Sequence, residues 1–321
     1  MKKIITLLVA ICLMGTIGIS CKKRKGEIGS IDNPVRFYFM PLKQDEVVKK
    51  NEAVIVDFLE KATGLKIEAV NAKDFLSIVK AFGQDKADIA FMNTLGFLLA
   101  RDWAKTQAHL ITVYGDIYKN YRGELLVRVD SGIETVANLD GKKVVFADPY
   151  SASGYLYALK FFKDNNINPG NTTFAKGHLD AIERLYAGEA DVAAVYHTKP
   201  TRTGVERDAR AELLNKYPDI MTKLKVIALT DEIPNGPVAL RHDLPDTIKA
   251  KLVGALMQLA RTSDGRQALY DLYNVTDLAL TSDANYDAVQ QVIKSLNKSI
   301  EEVVPGGVTF YRTYIETIPS Q

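Results

Sequence analysis

Cysteine is almost absent from this chain: two in 321 residues, Cys12 and Cys21. Two thiols build neither a disulfide framework nor a cysteine-based zinc centre. Histidine is scarce too. The four residues, His109, His178, His197 and His242, show no H-x-H or H-x-x-x-H spacing for a metal. His109 and His242 stand in no pattern with other chemistry-bearing residues. Excess charge of either sign is missing, with 41 Lys+Arg against 39 Asp+Glu. That balance carries no footprint for nucleic acid. There is no Walker A motif and no G-x-G-x-x-G. A nucleophile elbow would need glycine where Ser151 stands. The enzyme classes these motifs mark are not indicated, and no cofactor is implied. Long apolar runs are missing as well, with one exception.

The exception opens the chain. Lys2 and Lys3 precede the uncharged, mostly apolar run Ile4–Ile19, and Gly18-Ile19-Ser20 leads into Cys21. A basic start, an apolar run and a small residue before a cysteine read as an export signal over residues 1–20. The pattern is similar to that of bacterial lipoproteins, in which the cysteine is acylated and becomes the mature N-terminus. Gly18 stands where the usual lipobox has leucine. A plain cleaved signal or a short membrane anchor is the alternative. The run is short of the roughly 20 residues that span a bilayer. Acylation would employ Cys21, the one thiol left after cleavage. "KKRK", Lys22–Lys25, follows it and suits a tether over an anionic bilayer surface, or simply a solvated linker. Residues 21–33 are read as that tether. Without residues 1–25 the balance is 35 Lys+Arg against 39 Asp+Glu, a net of −4.

From Val35 onward strand-like and helix-like segments alternate, which argues for an α/β fold with helices on largely parallel sheets. "VRFYFMPL", "LKIEAV", "ADIAFM", "HLITVYGDIY" and "RGELLVRVD" read as strands. "TLGFLLARDWA" reads as a helix capped by Thr94. The alternation restarts at "NLDGKKVVFAD" and runs on through "TTFAKG", "HLDAIERLYAGEA", "DVAAVYHT", a charged helix over 203–217 and "LKVIALT". A long helix begins near Pro245, and the chain from Asp264 reads as helical. The two units suggest two lobes: 34–126 with 235–321, and 127–234. Extended crossings at Arg122–Asp130 and Asp231–Val238 would join them. Two lobes with strand-to-helix turns facing a cleft suit capture of a small molecule by hinge closure.

One turn stands out. In "VVFADPYSASGYLYALKFF" a buried strand is broken by Asp148 and Pro149, and Ser-Ala-Ser-Gly then leads into an amphipathic helix. Serine there is a helix cap. The plain cap is the first reading and an anion site the sharper alternative, because a helix start presents free N–H groups and the positive end of the macrodipole. His178 lies between a strand and a helix. His197 ends a strand beside Tyr196, and Asn93 and Thr94 end another. Open α/β sheets bind ligands at such strand ends.

The order of "FLEKATGLKIEAV", "DFLSIVKAFGQDKADIAFM", "YRGELLVRVDSGIETVANLDGKKVVFADPYSASGYL", "GHLDAIERLYAGEADVAAV" and "IPNGPVALR" resembles the phosphate/phosphite/phosphonate class of ABC-transporter solute-binding proteins. The resemblance covers roughly Val35 to Lys251. It implies a two-lobed, class II periplasmic-binding-protein fold. It also implies a small oxyanion ligand and a permease with a separate ATPase; with the reading of Cys21, the expectation is a monomer held at the membrane by its lipid alone. The family's Ser-Thr-Ser turn matches Ser151, Ala152 and Ser153 before Gly154, with alanine replacing the middle threonine. The family tyrosine before the hinge strand matches Tyr121, and the histidine of its G-H pair matches His178. A family aromatic matches Phe75, where tyrosine is common. The acids that hold an amino end fall near Thr198 and Gly236, and a further frequent glutamate falls on Leu179. None is acidic here, which argues against an aminophosphonate. A sensor or surface-interaction lipoprotein on the same fold, or a receptor for another organic solute, is the other reading. An iron carrier of similar fold would show an adjacent tyrosine pair, which is absent.

Overall fold

The computed structural model describes residues 26–41, 45–115, 117–198 and 209–304. The export signal, Cys21 and the basic run lie outside these residues. Residues 26–33 are folded rather than a free tether. Gly29 O accepts from Lys66 N at 2.7 Å, and a Cβ at Gly29 would lie 2.4 Å from Leu65.

The first half of the chain alternates as its pattern predicts. β1 (Val35–Phe39), α1 (Glu46–Thr63), β2 (Ile67–Asn71), α2 (Phe75–Gly83), β3 (Ile89–Phe91), α3 (Thr94–Ala104) and β4 (Gln107–Val113) follow one another. β1 buries Val35, Phe37 and Phe39, the period-2 signature of a strand with one dry face. α1 begins on Asp45, which accepts from Val48 N, and ends on Gly64 in the left-handed region at φ 71°. The chain then passes into β5 (Asn120–Arg128), β6 (Lys143–Phe146), a π-helical turn at Ala152–Leu156 and α4 (Tyr157–Asp164). β7 (Asn171–Phe174), α5 (His178–Tyr186), β8 (Val192–His197), α6 (Ile220–Lys223) and β9 (Leu224–Pro234) complete this unit. It returns through β10 (Pro237–Leu240), α7 (Asp246–Leu259), α8 (Ser263–Tyr273), β11 (Asp277–Leu280), α9 (Asp287–Ser295) and α10 (Ile300–Val303).

Two sheets result. The six-stranded one has the order β11-β4-β10-β3-β1-β2, and the five-stranded one β7-β6-β8-β5-β9. β1, β2 and β3 are parallel, as are β6, β7 and β8, while β10 and β5 run antiparallel to their neighbours. Each sheet is covered on both faces. One face of the six-stranded sheet stacks Phe37 on Phe39 and Phe91, with ring centroids 4.7 and 5.6 Å apart, over the helices carrying Ile55, Leu256 and Leu269. In the other sheet Val192–Val195 are all buried, the run expected of a strand dry on both sides.

Four local expectations are corrected. The first passage between sheets lies at 114–119, because β5 belongs wholly to the five-stranded sheet; Arg122–Asp130 is a paired strand and its following turn. The second passage, Asn235–Gly236, falls inside Asp231–Val238. α3 is capped by Asn93, whose Oδ1 accepts from Gly96 N at 2.6 Å, and Thr94 is already helical. The charged helix over 203–217 reduces, in its described part, to a 3₁₀ turn at Ala209–Leu213. The tail is not simply helical: β11 pairs with β4, and "YDAVQQVIKSLNKSIEEV" breaks at Leu296–Ser299 between α9 and α10.

Candidate functional site

The Ser-Ala-Ser-Gly turn is built at the end of β6. Asp148 starts it: its Oδ1 accepts from Tyr150 N at 2.9 Å and its carbonyl from Ser151 N at 3.2 Å. Ser151 is extended (φ −83°, ψ 123°) and caps the turn, its Oγ accepting from Gly154 N at 2.9 Å. The N–H groups of Ala152 and Ser153 belong to the first turn and have no intrahelical acceptor. The turn is π-helical, a geometry that clusters at functional sites. Gly154 is required by contact: a Cβ would lie 2.5 Å from Ala147 Cβ and 3.1 Å from His178 Cε1. Gly123 on β5 does the same for Ser153, whose carbonyl would sit 2.7 Å from an added Cβ.

His178 opens α5 beside this turn. Tyr196 N donates to its Nδ1 at 3.2 Å, and its Nε2 lies 3.4 Å from Ser151 Oγ. The Tyr196 ring packs edge-on at 4.9 Å. Burial pushes the His178 imidazole down to about 4, so it is neutral at ordinary pH. A neutral ring that accepts at Nδ1 carries its proton on Nε2. His178 therefore presents an N–H to Ser151.

Tyr121 stands at the start of β5. Its hydroxyl lies within hydrogen-bond reach of Ser153 and Thr94, and burial raises its ionisation far above the usual phenol range. Thr94 Oγ1 donates to Pro234 O at 2.8 Å. Ser151, Ala152, Ser153, Gly154, His178, Tyr121 and Thr94 are thus brought together, with Asn93 alongside as the α3 cap. Phe75 opens α2 and is half-buried; the preceding Asp74 closes a capping box with Ser77, and burial, with the charge of Asp74 adding to it, raises the ionisation of Tyr150 on the turn. His197 is placed differently. Its Nδ1 is 2.9 Å from Oε2 of the fully buried Glu124, so it is engaged as the partner of a carboxylate. Gly236 has no room for an acid, since even a Cβ would lie 2.1 Å from Met92 O.

The arrangement offers hydroxyls, one of them oriented by a neutral imidazole N–H, and helix-start amides at one buried point, which can hold a small oxyanion without arginine or metal. The family description "ABC transporter, phosphonate, periplasmic substrate-binding protein" matches residues 37–286. The chain belongs to this family. The phosphonates-binding periplasmic protein of Escherichia coli K12 is 26% identical over 246 residues, covering 74% of this chain and 70% of that protein. The phosphate-import protein PhnD of Mycolicibacterium smegmatis is 24% identical over 279 residues, covering 79% and 83%. The structure of PhnD1 from Prochlorococcus marinus in complex with methylphosphonate superposes with a TM-score of 0.64 at 16% identity, covering 83% and 98%. The family and that likeness fix the fold as a periplasmic-binding-protein fold and the class as a substrate-binding component of an ABC transporter.

Sequence reasoning missed the residue that holds the two passages together. Asn235 is buried; its Nδ2 donates to Thr112 O and Tyr118 O, both at 2.8 Å, and its carbonyl accepts from Tyr286 Oη at 2.9 Å. The only signal was Asn-Gly between prolines, which reads as an ordinary turn. The roles of Asp148 and the Tyr196 amide were equally hidden, because a backbone donor has no letter in the sequence.

Proposed function

We propose that this family member is an exported receptor that captures a small phosphorus oxyanion, phosphate, phosphite or a simple phosphonate, between two lobes built on the two sheets. It passes the ligand to a membrane permease powered by a separate ATPase and does no covalent chemistry. The passages at 114–119 and Asn235–Gly236 act as the hinge. Cys21 carries a lipid that holds the monomer at the membrane, with Lys22–Lys25 beside it. The reading is supported above all by the pairing of Ser151 with His178 at the start of a helix. The names of the Escherichia coli and Mycolicibacterium relatives agree with it.

Ser151, Ser153, the Ala152 and Ser153 amides and Tyr121 form the cradle. Phe75, Asn93 and Thr94 close it from the other sheet, and His197 lies at its margin. Micromolar affinity corresponds to about −8 kcal/mol. Charge-assisted hydrogen bonds contribute roughly 1.5–3 kcal/mol each, so four or five reach that range after ordering costs. Calorimetric titration of the protein lacking residues 1–25 with phosphate, phosphite, methylphosphonate, aminoethylphosphonate and sulfate tests the proposal. Micromolar binding of one phosphorus oxyanion, lost in Ser151→Ala/Ser153→Ala, is the expected result. A folded protein giving no heat with any of them would overturn it and favour a sensor or a receptor for another solute.

A further inference from the structure

The hydrogen atoms around Ser151 can be placed by elimination. A hydroxyl oxygen has two lone pairs and one proton. Gly154 N–H takes one lone pair at 2.9 Å. His178 Nε2–H takes the other at 3.4 Å, and that nitrogen must carry the proton because Tyr196 N–H occupies Nδ1. Both accepting positions of Ser151 are filled. Its own proton has no acceptor among the described residues and is left for whatever enters the turn. The Ala152 and Ser153 amides are donors by nature. The Ser151 hydroxyl and these two amides therefore present donors only, with the direction of the Ser151 proton fixed by the backbone of Tyr196 through His178.

We propose that the turn takes a phosphorus oxyanion in its fully ionised, dianionic form, with His178 as the residue that turns the Ser151 proton toward the ligand. This rests on the oxyanion reading above and specifies the charge state and the role of His178. A protonated ligand oxygen placed here would set O–H against O–H or N–H with no acceptor, leaving a buried donor unpaired. Specificity then follows from that mismatch. The turn and the helix it starts carry Tyr150, Tyr155 and Tyr157, and β5 and β8 carry the Glu124–His197 pair. Asp148 comes from the end of β6, Tyr196 from β8, Tyr121 from β5, and Lys176 and Asp180 from the approach and first turn of α5. Asp148 is the one carboxylate on the turn itself, and its carboxyl is raised by burial, so the experiment must separate it from the ligand.

The test is affinity against pH, from 5 to 9, for phosphite and methylphosphonate. If the dianion is selected, affinity rises with pH and levels off above each ligand's own second ionisation. The two midpoints then differ as the ligands' own second pKa values differ, and Asp148→Asn leaves them in place. Midpoints that coincide for the two ligands, or affinity that falls as the ligands ionise, overturn the proposal. So does additivity of Ser151→Ala and His178→Ala in a double-mutant cycle, since a residue acting through Ser151 loses its effect once that hydroxyl is gone. The expected single losses are about tenfold for His178→Ala and a hundredfold for Ser151→Ala. Absence of any binding would instead overturn the oxyanion reading itself.

Discussion

Thr94 Oγ1 donates to the carbonyl of Pro234 across 2.8 Å, joining the first turn of α3 to the end of β9 just before the chain re-enters the six-stranded sheet. The carbonyl is buried, and the Thr94 hydroxyl has its proton committed to it. Thr94→Val keeps the shape and removes the donor. A buried acceptor left unpaired costs about 1–3 kcal/mol. Urea unfolding of Thr94→Val is expected to show a loss of that size, and Thr94→Ser to restore most of it. An unchanged midpoint for Thr94→Val would mean that the carbonyl finds another donor.

Gly154 is fixed by its neighbours rather than by its own backbone freedom. An added Cβ meets Ala147 Cβ at 2.5 Å and Ala194 O at 3.0 Å. Neither atom is the end of a flexible chain, so the turn has to move away from β6 and β8. Gly154→Ala is expected to cost about 1–3 kcal/mol, the usual price of overpacking. It is also expected to weaken methylphosphonate binding at least tenfold, because the displaced turn carries Ser151. Calorimetry beside thermal unfolding checks both, and undiminished affinity in a destabilised variant would separate the turn from the ligand.

Asn235 holds both passages through one carboxamide. Asn235→Ala leaves the carbonyls of Thr112 and Tyr118 without their 2.8 Å donors. Asn235→Leu adds an apolar group facing the same two carbonyls. Roughly 2–4 kcal/mol of stability is expected to be lost in Asn235→Ala by urea unfolding, from two partners at 1–3 kcal/mol each with partial relaxation. If the two passages act as the proposed hinge, small-angle scattering of the unliganded protein is expected to show a larger radius of gyration. A variant that is destabilised but unchanged in size would reduce Asn235 to a local staple.

The alternation of strands and helices was legible because burial on both sheet faces writes itself into runs such as "VVFA" and "DVAAVY". The turn at Ser151 was legible for the same local reason, a cap residue between strand and helix. What failed depended on partners far along the chain. Thr94 reads as a cap, but Asn93 takes that place because the Thr94 hydroxyl is drawn to Pro234, 140 residues away. β11 was missed because "DLAL" is four residues long and is a strand only by pairing with β4. The carboxylate that meets His197 at the end of β8 was likewise out of view, since Glu124 lies on the neighbouring β5. No local pattern announces a buried carboxylate on a neighbouring strand 73 residues away.

His178 gives the fold a pH dependence whose sign is fixed. Its folded value is about 4, and the ordinary value is 6.5, so the unfolded chain holds more protons on this residue between those limits. Stability contributed by the neutral ring is complete above about pH 6.5 and is lost as pH falls toward 4. The cause is burial alone, with no charged partner to offset it. A shift of this size corresponds to roughly 3 kcal/mol. Unfolding free energy measured from pH 4 to 8 is expected to fall toward acid by that amount more in the native sequence than in His178→Gln, which cannot take up the proton. Other acid-sensitive contacts act on both proteins alike and cancel in the difference. Parallel curves for the two proteins would mean that His178 keeps its ordinary titration in the fold, and with it the ability to be a cation beside Ser151.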